Sequence, residues 1–238
     1  MQNNAPKQVL DRNAGYRASW TSLIQSKLYL AFVISFIAWS ATVGLCGVYK
    51  LVTWGLKQAF IKDAGLQVGV VVGAAFLVVA MAAMSYAFFM IRNKDEKKQV
   101  LGLGIVFGFY AVTFVVTILC FMVTLPMFTE WLPYQEAFAQ PLQIIYIGYI
   151  LLGIDAAMSL AVVKKMRENL GSCEGSYGPL TGMLVMLALR VAIALLLFLT
   201  MISKDLLTAL LGLGSMVPVV LVILVLFKYR CAVNKLNY

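Results

Sequence analysis

Six uninterrupted apolar runs, at residues 28–49, 66–91, 101–125, 142–163, 180–202 and 206–227, dominate the 238-residue sequence. The hydrocarbon core of a bilayer is crossed by about 20 helical residues. Backbone polar groups in that core must bond internally, which makes helices the default for runs of this length. The runs therefore predict an all-α integral membrane protein, a bundle of six transmembrane helices. Composition agrees, since 62% of the residues are hydrophobic and 12% are charged, with a mean hydropathy of +0.91. Soluble domains carry about 25% charged residues. The segments left over, a tail at 1–27, a tail at 228–238 and short connections, hold no extramembrane catalytic domain.

Orientation follows from the placement of Lys and Arg, which accumulate in cytoplasmic loops. The N-terminal tail carries four, residues 92–98 four, Lys164, Lys165 and Arg167 three, and Lys228, Arg230 and Lys235 three. The alternate connections hold Lys50, Lys57, Lys62 and Lys204. Both termini are predicted to be cytoplasmic, in the cell inner membrane. The net charge of +9 then reads as anchoring to anionic lipid headgroups, with no nucleic acid as partner. The first apolar run, of 22 residues, exceeds the 7–15 residues of a secretory signal and is expected to stay as a span. Lys50, Lys57 and Lys62 are the exception on the outer side. There Val52, Leu56, Ala59 and Phe60 recur at helical spacing beside Trp54, either as a short interfacial helix or as an extended end of the first span. Glu130, Trp131, Pro133, Tyr134 and Glu136 form an aromatic-anchored outer loop.

Small residues four apart let membrane helices approach closely. Gly69 and Gly73 in the second run, and Gly104 and Gly108 in the third, are the candidates for such packing.

The chemistry-bearing feature is a polar layer. Asp155 and Arg190 are the two ionisable residues well inside the runs, and a charge there costs at least about 2.5–3.5 kcal/mol, so it normally faces a partner or water. At 1.5 Å per helical residue, Asp155 lies about 12 Å and Arg190 about 15 Å from the inner ends of consecutive runs. An antiparallel pair brings them together. Pro218 sits at a similar depth in the last run and frees a backbone carbonyl, with Gly212, Gly214 and Ser215 just before it. Thr113, Thr117 and Ser159 supply hydroxyls nearby. Two readings stand open: a structural ion pair that fixes register, or the border of a water-accessible path on which Asp155 or Arg190 binds an ion, a proton or an anionic group.

The chain contains no histidine, which removes histidine-based triads, zinc–histidine sites and histidine proton relays. Cys46, Cys120, Cys173 and Cys231 lack metal-type spacing, so neither a metal nor a disulfide is expected. The glycines at 171, 175 and 178 lack the lysine of a phosphate-binding loop, and the serine in Gly212-Leu213-Gly214-Ser215 has no general base in view. No cofactor and no enzymatic activity are expected.

The last four runs carry Gly148 and Gly153, then Lys164-Lys165-Met166, a run bearing Arg190, and a final run with Gly212-Leu213 and Pro218-Val219. In these features the C-terminal part resembles the ATP synthase subunit I family, small four-span proteins encoded with bacterial F-type ATP synthases. The chain departs from that family by residues 1–100 with their two additional runs, and by the five-residue spacing of Gly148 and Gly153, where four is expected. The resemblance implies a helper in assembling the rotor ring or a cation-handling role beside the synthase. Gly69, Gly73 and the basic residues after Ile91 repeat the pattern of the fourth run, as in a three-plus-three internal repeat.

The expected function is that of a non-enzymatic transport, channel or assembly subunit, in contact with lipids and with other membrane subunits or further copies of itself. The alternative is the permease half of an ATP-driven exporter, which would bind an ATPase through residues 92–98 or 164–178. A membrane enzyme acting on lipids would call for clustered interfacial carboxylates, which the sequence lacks.

Overall fold

The computed structural model describes residues 5–57, 64–131, 135–170, 178–202 and 206–236, with side-chain environments falling within 14–46, 75–122, 149–170, 179–202 and 206–234. Seven helices account for almost all of them: α1 (Ala5–Ile24), α2 (Lys27–Lys57), α3 (Ala64–Ile91), α4 (Glu96–Trp131), α5 (Gln135–Asn169), α6 (Gly178–Met201) and α7 (Leu206–Leu236). Among the described residues there is no strand. Four segments are long and apolar enough to cross a membrane, Lys27–Cys46, Glu96–Met122, Pro179–Leu196 and Leu213–Asn234, with a shorter apolar stretch at Val78–Ile91. The protein is therefore an all-helical one suited to a membrane location.

Each of α2 to α7 packs on its neighbours in the chain, and contact between α2 and α7 closes the circle. Short connections make consecutive helices antiparallel neighbours, so the topology is an up-and-down ring. Its outer surface is apolar: Phe76, Val79, Leu119, Met122, Leu196 and Leu199 are all exposed. A continuous exposed apolar surface is costly in water and suited to lipid.

Residues 5–24, expected within a polar tail, instead form α1, which lies on α7 and touches α2. Tyr16, Trp20, Leu23 and Ile24 are buried. Their spacing puts them on one face of a helix. That face is fastened by polar contacts as well. The Tyr16 and Tyr229 hydroxyls lie 3.1 Å apart, Trp20 Nε1 donates to Gln99 Oε1 at 2.9 Å, and Arg17 donates to the Leu170 carbonyl at 3.1 Å. Arg17 also faces Glu96 at 3.6 Å. The C-terminal tail is likewise helical, since α7 continues to Leu236 with Tyr229 and Val233 buried. These contacts gather α1, the start of α4, the end of α5 and the end of α7 at one end of the ring. The basic residues at 92–98, 164–167 and 228–230 therefore share that end.

Local chemistry fixes the turns there. Ser26 Oγ accepts the Tyr29 N–H at 3.2 Å and caps α2, and Asp95 Oδ1 accepts the Lys97 N–H at 3.0 Å and caps α4. Glu96 follows in the first turn of α4, where the helix dipole favours an acid.

Close packing of α3 on α4 occurs at Gly102. A Cβ there would lie 2.7 Å from the Ala87 carbonyl oxygen and 2.8 Å from Ile91 Cγ1. A Cβ on Gly104 or Gly108 would meet nothing within 4 Å, so the packing role expected of that pair falls, among the described residues, to Gly102. The physical reason is angular: two residues along a helix turn about 200°, which points Gly104 away from the face that Gly102 presents. Gly69 and Gly73 lie in α3, and their surroundings fall outside the described residues. So do residues 58–63 of the first connection, 132–134 of the acidic loop and 171–177 of the glycine-bearing loop; α2 runs as one helix to Lys57, and of the residues expected in the acidic loop Glu130 and Trp131 instead belong to α4 and Glu136 to α5. Gly102→Ala is expected to lower thermal stability in detergent by about 1–3 kcal/mol through overpacking. Gly104→Ala should be neutral or stabilising, because alanine favours the helix. Equal effects at the two sites would refute this assignment.

Candidate binding cavity

A cavity of about 440 Å³ lies within the ring, and all six of α2 to α7 contribute to its lining. Asp155 of α5 and Arg190 of α6 meet in its wall, with an Arg190 guanidinium nitrogen donating to Asp155 Oδ2. The pair is asymmetric: Asp155 retains 4% side-chain exposure and Arg190 43%. The carboxylate is thus set into the helix packing, and the guanidinium extends from it.

Pro218 of α7 and Thr113 of α4 line the same cavity, so four of the six expected polar-layer residues share one space. Thr117 and Ser159 do not line it. Thr117 is buried, and its Cγ2 would lie 3.6 Å from a Cβ on Gly153, which makes it a packing contact between α4 and α5. Both threonine hydroxyls bond within their own helix, Thr113 to the Phe109 carbonyl at 2.9 Å and Thr117 to the Thr113 carbonyl at 2.7 Å. Such bonding to the preceding turn occupies the hydroxyl proton and leaves only lone pairs for a neighbour. Ser159 is buried one helical turn from Asp155, near Tyr110.

Sequence reasoning missed much of the wall. Tyr110 of α4 lies within electrostatic reach of Asp155 and Arg190. Phe32, Phe36 and Trp39 of α2 line the cavity together. Their spacing of four and then three residues marks one helix face and was readable as such. Phe88 of α3 meets Phe32 and Phe36 edge to face, with ring centroids 4.9 and 5.0 Å apart. Phe36 in turn stands 6.2 Å from Trp39. Among the described residues the buried indole N–H of Trp39 has no hydrogen-bond partner.

Toward the α1 end the cavity is closed by apolar packing. A smaller void of about 90 Å³ there is lined by Trp20, Leu23 and Ile24 of α1, and shares Phe32, Phe88, Tyr110, Met183 and Val222 with the larger one. Docked α1 thus stops the ring at that end.

What the arrangement can do chemically is hold a small guest among aromatic and aliphatic side chains beside an internally balanced ion pair. Among the described residues no group of three His, Cys, Asp or Glu side chains comes together to hold a metal. No known protein family, curated protein or solved structure matches the chain.

Proposed function

We propose that this chain is a six-span inner-membrane protein with both termini cytoplasmic, whose central cavity binds a small molecule or ion as a non-enzymatic transport or channel subunit. The observation that carries the reading is the cavity itself, walled by all six helices of the ring and bearing the Asp155–Arg190 pair. Ligand sites are concave, largely apolar and fitted with few polar groups, commonly in a volume of about 300–1,000 Å³. A pair that served only to fix helix register needs no open volume beside it. The gathering of three basic clusters at the α1 end supports a cytoplasmic assignment for that end. The implied likeness to ATP synthase subunit I points the same way, toward a small membrane subunit that works beside a larger machine.

Accessibility tests the reading directly. In a background with the native cysteines replaced by serine, Thr113→Cys is expected to react with a membrane-impermeant thiol reagent, while Leu119→Cys on the lipid-facing surface is not. An unreactive Thr113→Cys would mean a sealed cavity and would remove the transport reading. Purification in mild detergent separates the remaining alternatives. Copurifying membrane subunits support a subunit of a complex, a copurifying ATPase the permease half of an exporter, and an unaccompanied monomer counts against both.

A further inference from the structure

We infer that the cavity is built for a neutral, flat, largely apolar molecule that carries a hydrogen-bond acceptor such as a carbonyl oxygen, a ligand class that rests on the binding role proposed above.

Three observations lead there. The first is charge balance. Asp155 and Arg190 are the charged residues of the wall, and they face each other. A charged guest would lose its hydration and find its counter-charge already engaged, so burial would go uncompensated. The second is the polarity of what remains. An arginine has five N–H donors and no acceptor. Arg190 directs one nitrogen at Asp155 and, with its side chain 43% exposed, keeps N–H donors to spare beside the cavity. Thr113 has already given its proton to the Phe109 carbonyl. Of the pair's remaining hydrogen-bonding capacity the more exposed share is the arginine's donors, and a donor left without a partner away from water is costly. A guest that offers an acceptor relieves that cost.

The third observation is shape. Phe32, Phe36, Phe88 and Trp39 form a connected aromatic wall. Met81, Met84, Met183 and Met216 line the same cavity, and their flexible thioethers conform to varied outlines and contact ring edges favourably. Aromatic edges and soft sulfur suit a flat guest, and the hydrophobic lining favours its apolar body. The cavity they share is about 440 Å³.

Equilibrium dialysis of the full-length protein in detergent micelles against empty micelles tests the class with three probes of nearly one shape: 2-acetylnaphthalene, 2-ethylnaphthalene and 2-naphthoate. The neutral ketone is expected to bind about five- to tenfold more tightly than the hydrocarbon, the worth of one hydrogen bond to a buried donor, and more tightly than the anion. Asp155→Leu combined with Arg190→Leu removes the spare donors together with the charge that faces them, so it should erase the preference for the ketone over 2-ethylnaphthalene. Equal binding of ketone and hydrocarbon, or a preference for 2-naphthoate, overturns the ligand class and leaves the site standing. Binding of none of the three also overturns it. Should Thr113→Cys then be reactive, only the class is wrong; should it be unreactive, the site reading falls with it.

Discussion

Trp20→Ala is expected to cost about 3–5 kcal/mol, the range for truncating a buried aromatic, and to undock the first helix from the bundle. Trp20 is 6% exposed, its ring meets Tyr229 edge to face at 5.7 Å, and its N–H satisfies Gln99, itself buried. Truncation therefore opens a cavity and strands the Gln99 carbonyl oxygen, two penalties at one position. The midpoint of thermal unfolding in detergent should fall by on the order of 10 °C. Trypsin, slow at Arg17 while that side chain is held by the Leu170 carbonyl and Glu96, should cleave there readily. Trp20→Phe keeps most of the buried area and loses mainly the hydrogen bond, so it is expected to cost about 1–2 kcal/mol. A Trp20→Ala protein that melts with the parent and resists trypsin equally would return residues 1–27 to the status of a tail.

The ion pair carries the second large effect, and its asymmetry sets the order of the variants. Asp155→Leu leaves a guanidinium that cannot give up its proton, facing an apolar wall. The cost is expected to be about 3 kcal/mol, the lower end for a broken buried pair, because the Arg190 side chain keeps 43% exposure. Arg190→Leu should cost less, since a carboxyl group left alone can be neutralised by a proton. Asp155→Leu combined with Arg190→Leu should recover most of the loss, because apolar replacement of both partners is often neutral. Thermal unfolding of the three variants in detergent reads the order. A double variant less stable than either single would show that the charges do more than compensate each other. Ligand or ion flux across the charge-swapped pair, Asp155→Arg with Arg190→Asp, addresses function separately: recovery by the swap favours a structural pair, whereas persistent loss favours a role for one of the two groups at its own position.

How much of this was legible in the sequence depends on the range of the interaction involved. The apolar runs at 28–49 and 206–227 begin within a residue of where α2 and α7 begin, because hydropathy summed over 20 residues is a local quantity. The helices then run well past the runs, α2 to Lys57 and α7 to Leu236. Polar residues do not end a helix once it leaves the apolar stretch; only a cap, a glycine or a proline does. The meeting of Asp155 and Arg190 was also readable, since two consecutive antiparallel helices of known rise leave little freedom in depth. The glycines were harder. Gly104 and Gly108 have the spacing of a packing motif, yet which face of α4 turns toward α3 is an angle, and the angle placed Gly102 in contact.

Hydrophobicity and its length scale, properties of the amino-acid sequence alone, determined that this protein is a bundle of long apolar helices with a charged pair inside it. Tertiary structure decided everything that requires two distant segments to meet. Tyr16 reaches Tyr229, and Trp20 reaches Gln99, across separations no local pattern encodes. The α2–α7 contact closes the ring, and only a closed ring has an interior. The cavity exists because six helices turn aromatic, thioether and ionic side chains toward one shared space.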